Sequence, residues 1–472
     1  MTTHTTSKKP RPPIAYVGAA LLVLAGLSIG NHYLGRSTPG HSNSDRNSDS
    51  KASQVKTIDD RMSNGAHSFF PEDGTPDKLT AIAAYASADY GSAQTFFDRS
   101  LSKKNNDPES LIYRNNATVA SRNPLKIAVS VPTSADASGS REILRGVAQA
   151  QTEINASGGI NGRSLAVTIA NDDNDTKTAQ QIAQTLVNRQ DILGVVGHYA
   201  SSVTLATADI YNQGRLVAIS PISSAVQLSN KSPYVFRTVP SDSIAARALT
   251  DYMLQTLKRK KAVVYFSSQS DYSKSLKGEL NTAIALQGAQ VVGEYDLANS
   301  SFSPNRSLEE AQQRGAEVIL LASNTGSLDR ALQVVQANNN RLPILAGDDV
   351  YSSKTLDVTR ASGRDMIVAV PWHSLGSGSQ NFATRSRTLW GGDVNWRTVT
   401  AYDATQALGV ALQQSPTREG VQTALLHPTF TASGASRTVS FLPSGDRNAP
   451  VQLVRIIENG RSAYGYSFVP LF

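Results

Sequence analysis

From Leu125 onward, short runs of branched apolar residues alternate with stretches whose apolar positions recur at three- and four-residue spacing. "LKIAVSV" (125–131) predicts a strand. Ile143, Val147, Ala150 and Ile154 then predict a helix over 141–155. "LAVTIA" (165–170) and "ILGVV" (192–196) are further strands, separated by a helical "TAQQIAQTLVN" (178–188). "TLATADIYNQG" (204–214) and "RLVAIS" (215–220) repeat the pair. Strand–helix alternation with short loops predicts a parallel sheet covered on both faces. The alternation restarts after residue 240, with helices at about 243–257, 273–287 and 327–337. The strands of this second part are "AVVYFSS" (262–268), "QVVGEYDL", "EVILLAS" (317–323), "PILAGDD" (343–349) and "MIVAVP" (366–371). Two sheet units predict two lobes. A long helix at 396–412 follows, and then two or three antiparallel strands with no further helix.

The amino terminus has a different pattern. Residues 14–29, "IAYVGAALLVLAGLSI", carry no charge, and the apolar character continues weakly to Leu34. Lys8, Lys9 and Arg11 precede the run and little positive charge follows, an asymmetry that keeps the first residues cytoplasmic. An uncleaved signal anchor is favoured over a cleaved signal, with Ser28 and Gly30 as a poor cleavage site. The expected address is therefore the inner membrane, single-pass, with the bulk of the chain in the periplasm. Residues 36–64 are rich in Ser, Asn and Asp and read as a flexible tether. Within 65–120, Leu79, Ile82 and Tyr85 share one helical face, and Tyr90, Ala93, Phe97 and Leu101 share another. The order Ala84, Asp89–Tyr90, Ala93, Phe97 and Pro108 resembles a tetratricopeptide repeat. A protein-binding repeat and a plain helical-hairpin spacer are both open. A lone repeat must bury its face on the next domain or on a partner.

Composition narrows the chemistry. The 472 residues contain no cysteine, which excludes disulfides, thiolate metal sites and Cys nucleophiles. The net charge of +7 could indicate an acidic partner, but the basic residues are scattered. No aromatic–basic interleaving marks a nucleic-acid binder. The seven histidines lack metal-ligand spacing, and His198 reads as a packed turn residue. No dinucleotide fingerprint, phosphate loop or nucleophile elbow occurs, so neither an enzyme nor a cofactor is expected.

The informative stretches are "VVGHYASSVT" (195–204) and "SPISSAVQ" (220–227), each a row of small hydroxyls at the carboxyl end of a strand. In open α/β sheets that is where ligands sit, at helix N-termini. Serines there are also ordinary helix caps. Two neighbouring segments in series, both with surplus hydroxyls, favour a site for a carboxylate or phosphate.

The ordered set "EINASGGINGR", "GH-x-x-SS-x-T", "ISP-x-SS" and "VFRTVPSD" resembles type I periplasmic solute-binding proteins, in the branch that serves branched-chain amino acids in ABC transporters. The resemblance covers roughly residues 125–472. It implies two Rossmann-like lobes joined by three crossovers that close on a ligand. Lobe I would span about 125–244 and 373–440, and lobe II about 245–372 and 441–472, within a domain over 121–472. It places a ligand carboxylate at Ser201, with the Ile222 backbone and the Ser224 hydroxyl nearby. Asp242 matches a position close to the ligand amine, and Tyr272 an aromatic of the second lobe that covers the ligand. Asp349 matches an acid that pairs with the ammonium, although Asp348 competes for that place. Asn324 and Tyr402 match more loosely. The loop "TSADASGSRE" lacks the aromatic that many relatives place there. The implied role is extracytoplasmic binding of an amino acid or similar small polar solute, delivered to an ABC permease. A ligand sensor or assembly protein that docks a partner through the helical module is the alternative.

Overall fold

The computed structural model describes residues 57–471. The apolar segment 14–34 and most of the tether lie outside them. Among the described residues no helix is long and apolar enough to cross a membrane.

Two parallel-centred sheets organise the chain. The first runs in the order Met62–Ser63, Leu165–Asn171, Leu125–Val131, Ile192–Val196, Ala218–Ser220, Val235–Arg237. The second runs Tyr466–Pro470, Gln452–Glu458, Ile367–Val370, Ile344–Ala346, Val318–Ala322, Lys261–Phe266, Gln290–Asp296. The middle strands of both are buried on both faces, and so they read as continuous Val/Ile/Leu/Ala runs. The chain leaves the first sheet after Arg237 and returns to the first lobe with helices after Val370. It rejoins the second sheet at Gln452, so three crossings link the lobes. The last two strands are antiparallel, as expected for consecutive strands with no helix between them.

Helix Trp396–Gln414 packs along helix Ala137–Ala156 in lobe I. Gly146 permits this close approach: a Cβ there would stand 2.1 Å from the Thr398 carbonyl oxygen and 2.6 Å from the Tyr402 amide. The contact fixes the amino end of Trp396–Gln414, which matters for the site below. Nearby, the buried Arg418 side chain donates to the carbonyl oxygens of Leu186, Val187, Arg189, Ile192 and Gly214. One guanidinium thereby satisfies the end of helix Thr176–Asn188 and the loop behind it.

The sequence reading needs several corrections. Helices Pro304–Gln313, Gln380–Trp390 and Arg418–Leu426 were not anticipated. Their polar faces dilute the apolar spacing, and for the first and third the caps are the clearer signal. Ser303 accepts from the Arg306 amide and Thr417 from the Gly420 amide. The helix expected at about 243–257 is α-helical only over Asp242–Asp251 and continues as a π-helical turn, Tyr252–Thr256. The tether is shorter than expected. Met62–Ser63 pairs antiparallel with Ile169–Ala170 and covers the outer edge of the first sheet, which would otherwise offer unpaired backbone to another chain.

The module ahead of lobe I has three helices rather than a hairpin: Pro76–Ala86, Tyr90–Lys103 and Pro108–Val119. Pro108 follows the second helix, as expected, and opens the third. That third helix is buried along most of its length, against Ala137–Ala156 and Leu165–Asn171. The first helix is also rotated from the expected face. Leu79 is 57% exposed, whereas Lys78, Ala81 and Tyr85 point inward. The reason is ionic. Lys78 Nζ lies 2.9 Å from Asp107 Oδ2 and 2.8 Å from Glu109 Oε2, with the lysine fully enclosed. Glu109 also accepts from the Phe69 amide and the Ser68 hydroxyl. Replacing Lys78 with Met should cost about 3–5 kcal/mol, because two carboxylates would remain buried without a counter-ion. Thermal denaturation checks this, and the K78M/D107N/E109Q combination should recover most of the loss.

Candidate functional site

Between the lobes, at the carboxyl ends of the strands, lies a cavity of about 380 Å³. Lobe I contributes Asp136, Tyr199, Ser201, Ser202, Ile222 and Trp396. Lobe II contributes Tyr272, Asn324, Thr325, Asp348 and Asp349.

The first hydroxyl row is not a cap. Helix Ser201–Gln213 begins at Ser201, and its capping residue is Ala200, which has no side-chain acceptor. A helix leaves its leading amides without intrahelical partners. Here Ser201 and Ser202, the first two residues of the helix, border the cavity, while the Val203 amide donates to the Ala200 carbonyl. Ser201 Oγ accepts from the Ala225 amide at 3.3 Å, which positions the hydroxyl and leaves its proton free to donate. The second row is mostly structural. Ser223 Oγ bonds Thr204 Oγ1 at 2.8 Å and donates to the Tyr199 carbonyl at 3.1 Å. Ser220 donates to the His198 carbonyl at 2.7 Å. These bonds fasten the loop that carries Tyr199 and Ser201. His198 is enclosed, its ring nitrogens 2.6 Å from Asp172 Oδ2 and 2.9 Å from the Tyr211 hydroxyl.

On lobe II, the Tyr272 hydroxyl donates to Asp348 Oδ1 at 2.7 Å. Gly347 makes room for the ring: a Cβ there would stand 2.4 Å from the Tyr272 hydroxyl. Asp348 Oδ2 has no hydrogen-bond partner among the described residues. Burial and the neighbouring Asp349 push the Asp348 carboxyl up to about 7. Both oxygens of Asp349 are occupied. Oδ1 accepts from Arg397 Nη2 at 2.7 Å, and Oδ2 accepts from the Thr325 amide at 3.0 Å. Burial raises the Asp349 carboxyl, and Arg397 opposes that shift.

Arg397 is the residue that the sequence reading missed. It sits in the first turn of Trp396–Gln414, donates through Nε to the Tyr199 hydroxyl at 3.2 Å, and lies 4.4 Å from the centroid of the Trp396 ring. Because that helix belongs to lobe I and Asp349 to lobe II, the 2.7 Å ion pair spans the lobes. An arginine directly after an Asn-capped helix start, behind a tryptophan, was the only signal in the sequence.

The sequence-derived residues therefore separate into two groups. Ser201, Ile222, Tyr272, Asn324 and Asp349 border the cavity. Asn324 does so while its side chain accepts from Ser327 at 2.7 Å. Ser224, Asp242 and Tyr402 are not among the bordering residues. Ser224 and Asp242 form a buried seam at the first crossing. Ser241 caps the following helix, which leaves Asp242 at its first position, 1% exposed. Burial pushes the Asp242 carboxyl up to about 6, and Asp242 Oδ2 and Ser224 Oγ are buried without a hydrogen-bond partner among the described residues. Tyr402 donates to Glu153 Oε2 at 2.6 Å and packs on Phe382. It is five positions from Arg397, about 140° round the helix, and so faces helix Ala137–Ala156 instead of the cavity. Among the described residues no cluster of His, Asp and Glu is arranged to hold a metal ion.

The model of the periplasmic binding protein family matches residues 124–461. The chain belongs to that family. Its members bind solutes and do not transform them. The periplasmic-binding-protein portion begins where the alternating pattern begins, and the three-helix module lies ahead of it. Among curated relatives, the chain is 30% identical over 188 residues to an amino acid binding protein of Pseudomonas aeruginosa, covering 40% of this chain and 50% of that one. It is 24% identical over 229 residues to the leucine-specific-binding protein of Salmonella typhimurium, covering 48% and 62%. The alignments thus span about half to three-fifths of those relatives. The fold matches an ABC transporter substrate-binding protein from Desulfitobacterium hafniense in complex with Leu. That match has a TM-score of 0.63 and 23% identity, over 73% of this chain and 100% of the other.

Proposed function

We propose that this chain takes an amino acid between its lobes as the substrate-binding component of an ABC-type importer. In this reading residues 14–34 hold it at the inner membrane, with its bulk in the periplasm. The observation that carries the reading is the polarity of the cavity. Hydroxyls and leading helix amides stand at one end, from lobe I. A carboxylate with a free oxygen stands at the other, from lobe II. A zwitterion complements both ends at once. The ligand carboxylate belongs at Ser201 and Ser202, with Ile222 beside it. Its ammonium belongs at Asp348, because Arg397 and the Thr325 amide already fill both oxygens of Asp349. Tyr272 orients Asp348 and covers the ligand. Contacts divided between the lobes stabilise closure only when one molecule bridges them.

Titration calorimetry of the full-length chain in detergent against the twenty L-amino acids tests the reading. Saturable binding of one or more is expected. Ser201→Ala should weaken binding about tenfold, through loss of a hydrogen bond to a charged group. Silence across the panel by folded protein would remove the amino-acid reading and leave the sensor or assembly role, with the helical module as the docking element.

A further inference from the structure

Two carboxylates that border the cavity, one on each lobe, each keep an oxygen that accepts no hydrogen bond among the described residues. The first is Asp348 Oδ2, described above. The second belongs to Asp136, on the loop that follows the first strand of lobe I. Asp136 caps helix Ala137–Ala156 through Oδ1, which accepts from the Gly139 amide at 2.8 Å. Its Oδ2 accepts no hydrogen bond among the described residues. That oxygen stands beside the Tyr199 ring, since a Cβ on Gly139 would meet both of them, at 2.5 and 2.8 Å.

The charges are unbalanced in the same sense. Asp136, Asp348 and Asp349 all border the cavity, and among the described residues no lysine, arginine or histidine does. Arg397, which is not among the lining residues, interacts with all three and is paired with Asp349. A neutral zwitterion would compensate a single free carboxylate and close the lobes over the other. Enclosing an uncompensated charge is strongly unfavourable. The cavity lining also offers surface that suits an alkyl chain ending in a cation. Ile222 is apolar, and Tyr199, Tyr272 and Trp396 present rings that attract ammonium groups.

We infer that the ligand of this cleft is a dibasic amino acid, its α-ammonium on Asp348 and a second cationic group on Asp136. This inference rests on the amino-acid reading of the cleft and goes beyond it by fixing the class of side chain. The capping oxygen and the free oxygen of Asp136 divide the work: one anchors the helix, the other faces the ligand.

L-Lysine and L-norleucine share the same carbon skeleton and differ by the terminal ammonium, so the pair isolates the second charge. Calorimetry on the full-length chain should give lysine at least about tenfold tighter than norleucine, as expected for one charge-assisted contact. Asp136→Asn keeps a capping oxygen for Gly139 and should bring the lysine-to-norleucine ratio to within about threefold. Norleucine or leucine binding as tightly as lysine, or a lysine preference that survives Asp136→Asn, would overturn the inference while leaving an amino-acid site in place. No binding of any amino acid by folded protein would instead remove the reading on which it rests.

Discussion

Replacing Arg397 with methionine should open the ligand-free molecule. The Arg397–Asp349 pair joins the lobes across the cleft, and both side chains are largely enclosed. Removing one partner of such a pair leaves the other charge buried and unpaired, at about 3–5 kcal/mol. Asp349 can escape that penalty by moving into water, which only separation of the lobes allows. The cost therefore falls on the closed form, while each lobe keeps its own core. At about 1.4 kcal/mol per decade, the closed-to-open ratio should fall at least about 100-fold. Ligand affinity should fall with it, because binding must then supply the closure energy. Small-angle scattering of ligand-free protein should record a larger radius of gyration for Arg397→Met than for the parent. The D349N/R397M double variant, with no orphaned charge, should regain compactness. Arg397→Lys should rescue only in part, since a single ammonium cannot serve both Asp349 and the Tyr199 hydroxyl in the geometry of a guanidinium. Unchanged scattering in Arg397→Met would mean that the pair does not hold the lobes.

The second large effect concerns Asp348. Asp348→Asn should weaken amino-acid binding about 100-fold, because a charged hydrogen-bond acceptor for the ammonium is lost within a desolvated site. The loss should also change the response to pH. The Asp348 carboxyl is raised to about 7 in the folded protein, from an ordinary value of 3.8. A raised carboxyl contributes stability that is fully present below about pH 4 and is lost as pH rises through 7. The groups facing it are the Tyr272 hydroxyl, Asp349, Arg397 and Asp242. An arriving ammonium favours the ionised form, so binding should release a proton near neutrality and tighten as pH rises from 5 to about 8. Calorimetry in buffers of different ionisation enthalpy measures that proton. Asp348→Asn should abolish the release and flatten the pH profile. Asp349→Asn should reduce the release and move the profile to lower pH, since it removes a charge that raises Asp348 and frees Arg397 to lower it.

The two-lobed architecture was legible because buried parallel strands carry uninterrupted apolar runs, and those runs fell into two series. The helices missed, such as Arg418–Leu426, lie where one face is solvated and caps outweigh periodicity. Ser201 was legible as a hydroxyl at a strand end. What the sequence left open was whether it capped the helix, and only the position of Ala200 at the cap answers that. Arg397 and Asp136 were beyond sequence reading for a different reason. Their roles depend on which carboxylate oxygens remain free once the lobes meet, and that is a property of distant segments brought together. Tyr402 entered through the family resemblance alone; in the structure it bonds Glu153 and lies outside the cavity lining, because close packing at Gly146 sets which face of its helix meets the neighbour. The inward Lys78 was invisible for the same reason, because its partners lie 29 and 31 residues downstream.

The short strand Met62–Ser63 and the helix Pro108–Val119 make everything from Thr57 to Leu125 part of one half of the clamp. Any hold on the chain upstream of Thr57 is therefore transmitted to the serine-bearing jaw alone. In the proposed reading, capture then moves the lobe of Asp348 and Asp349 against a lobe that is held.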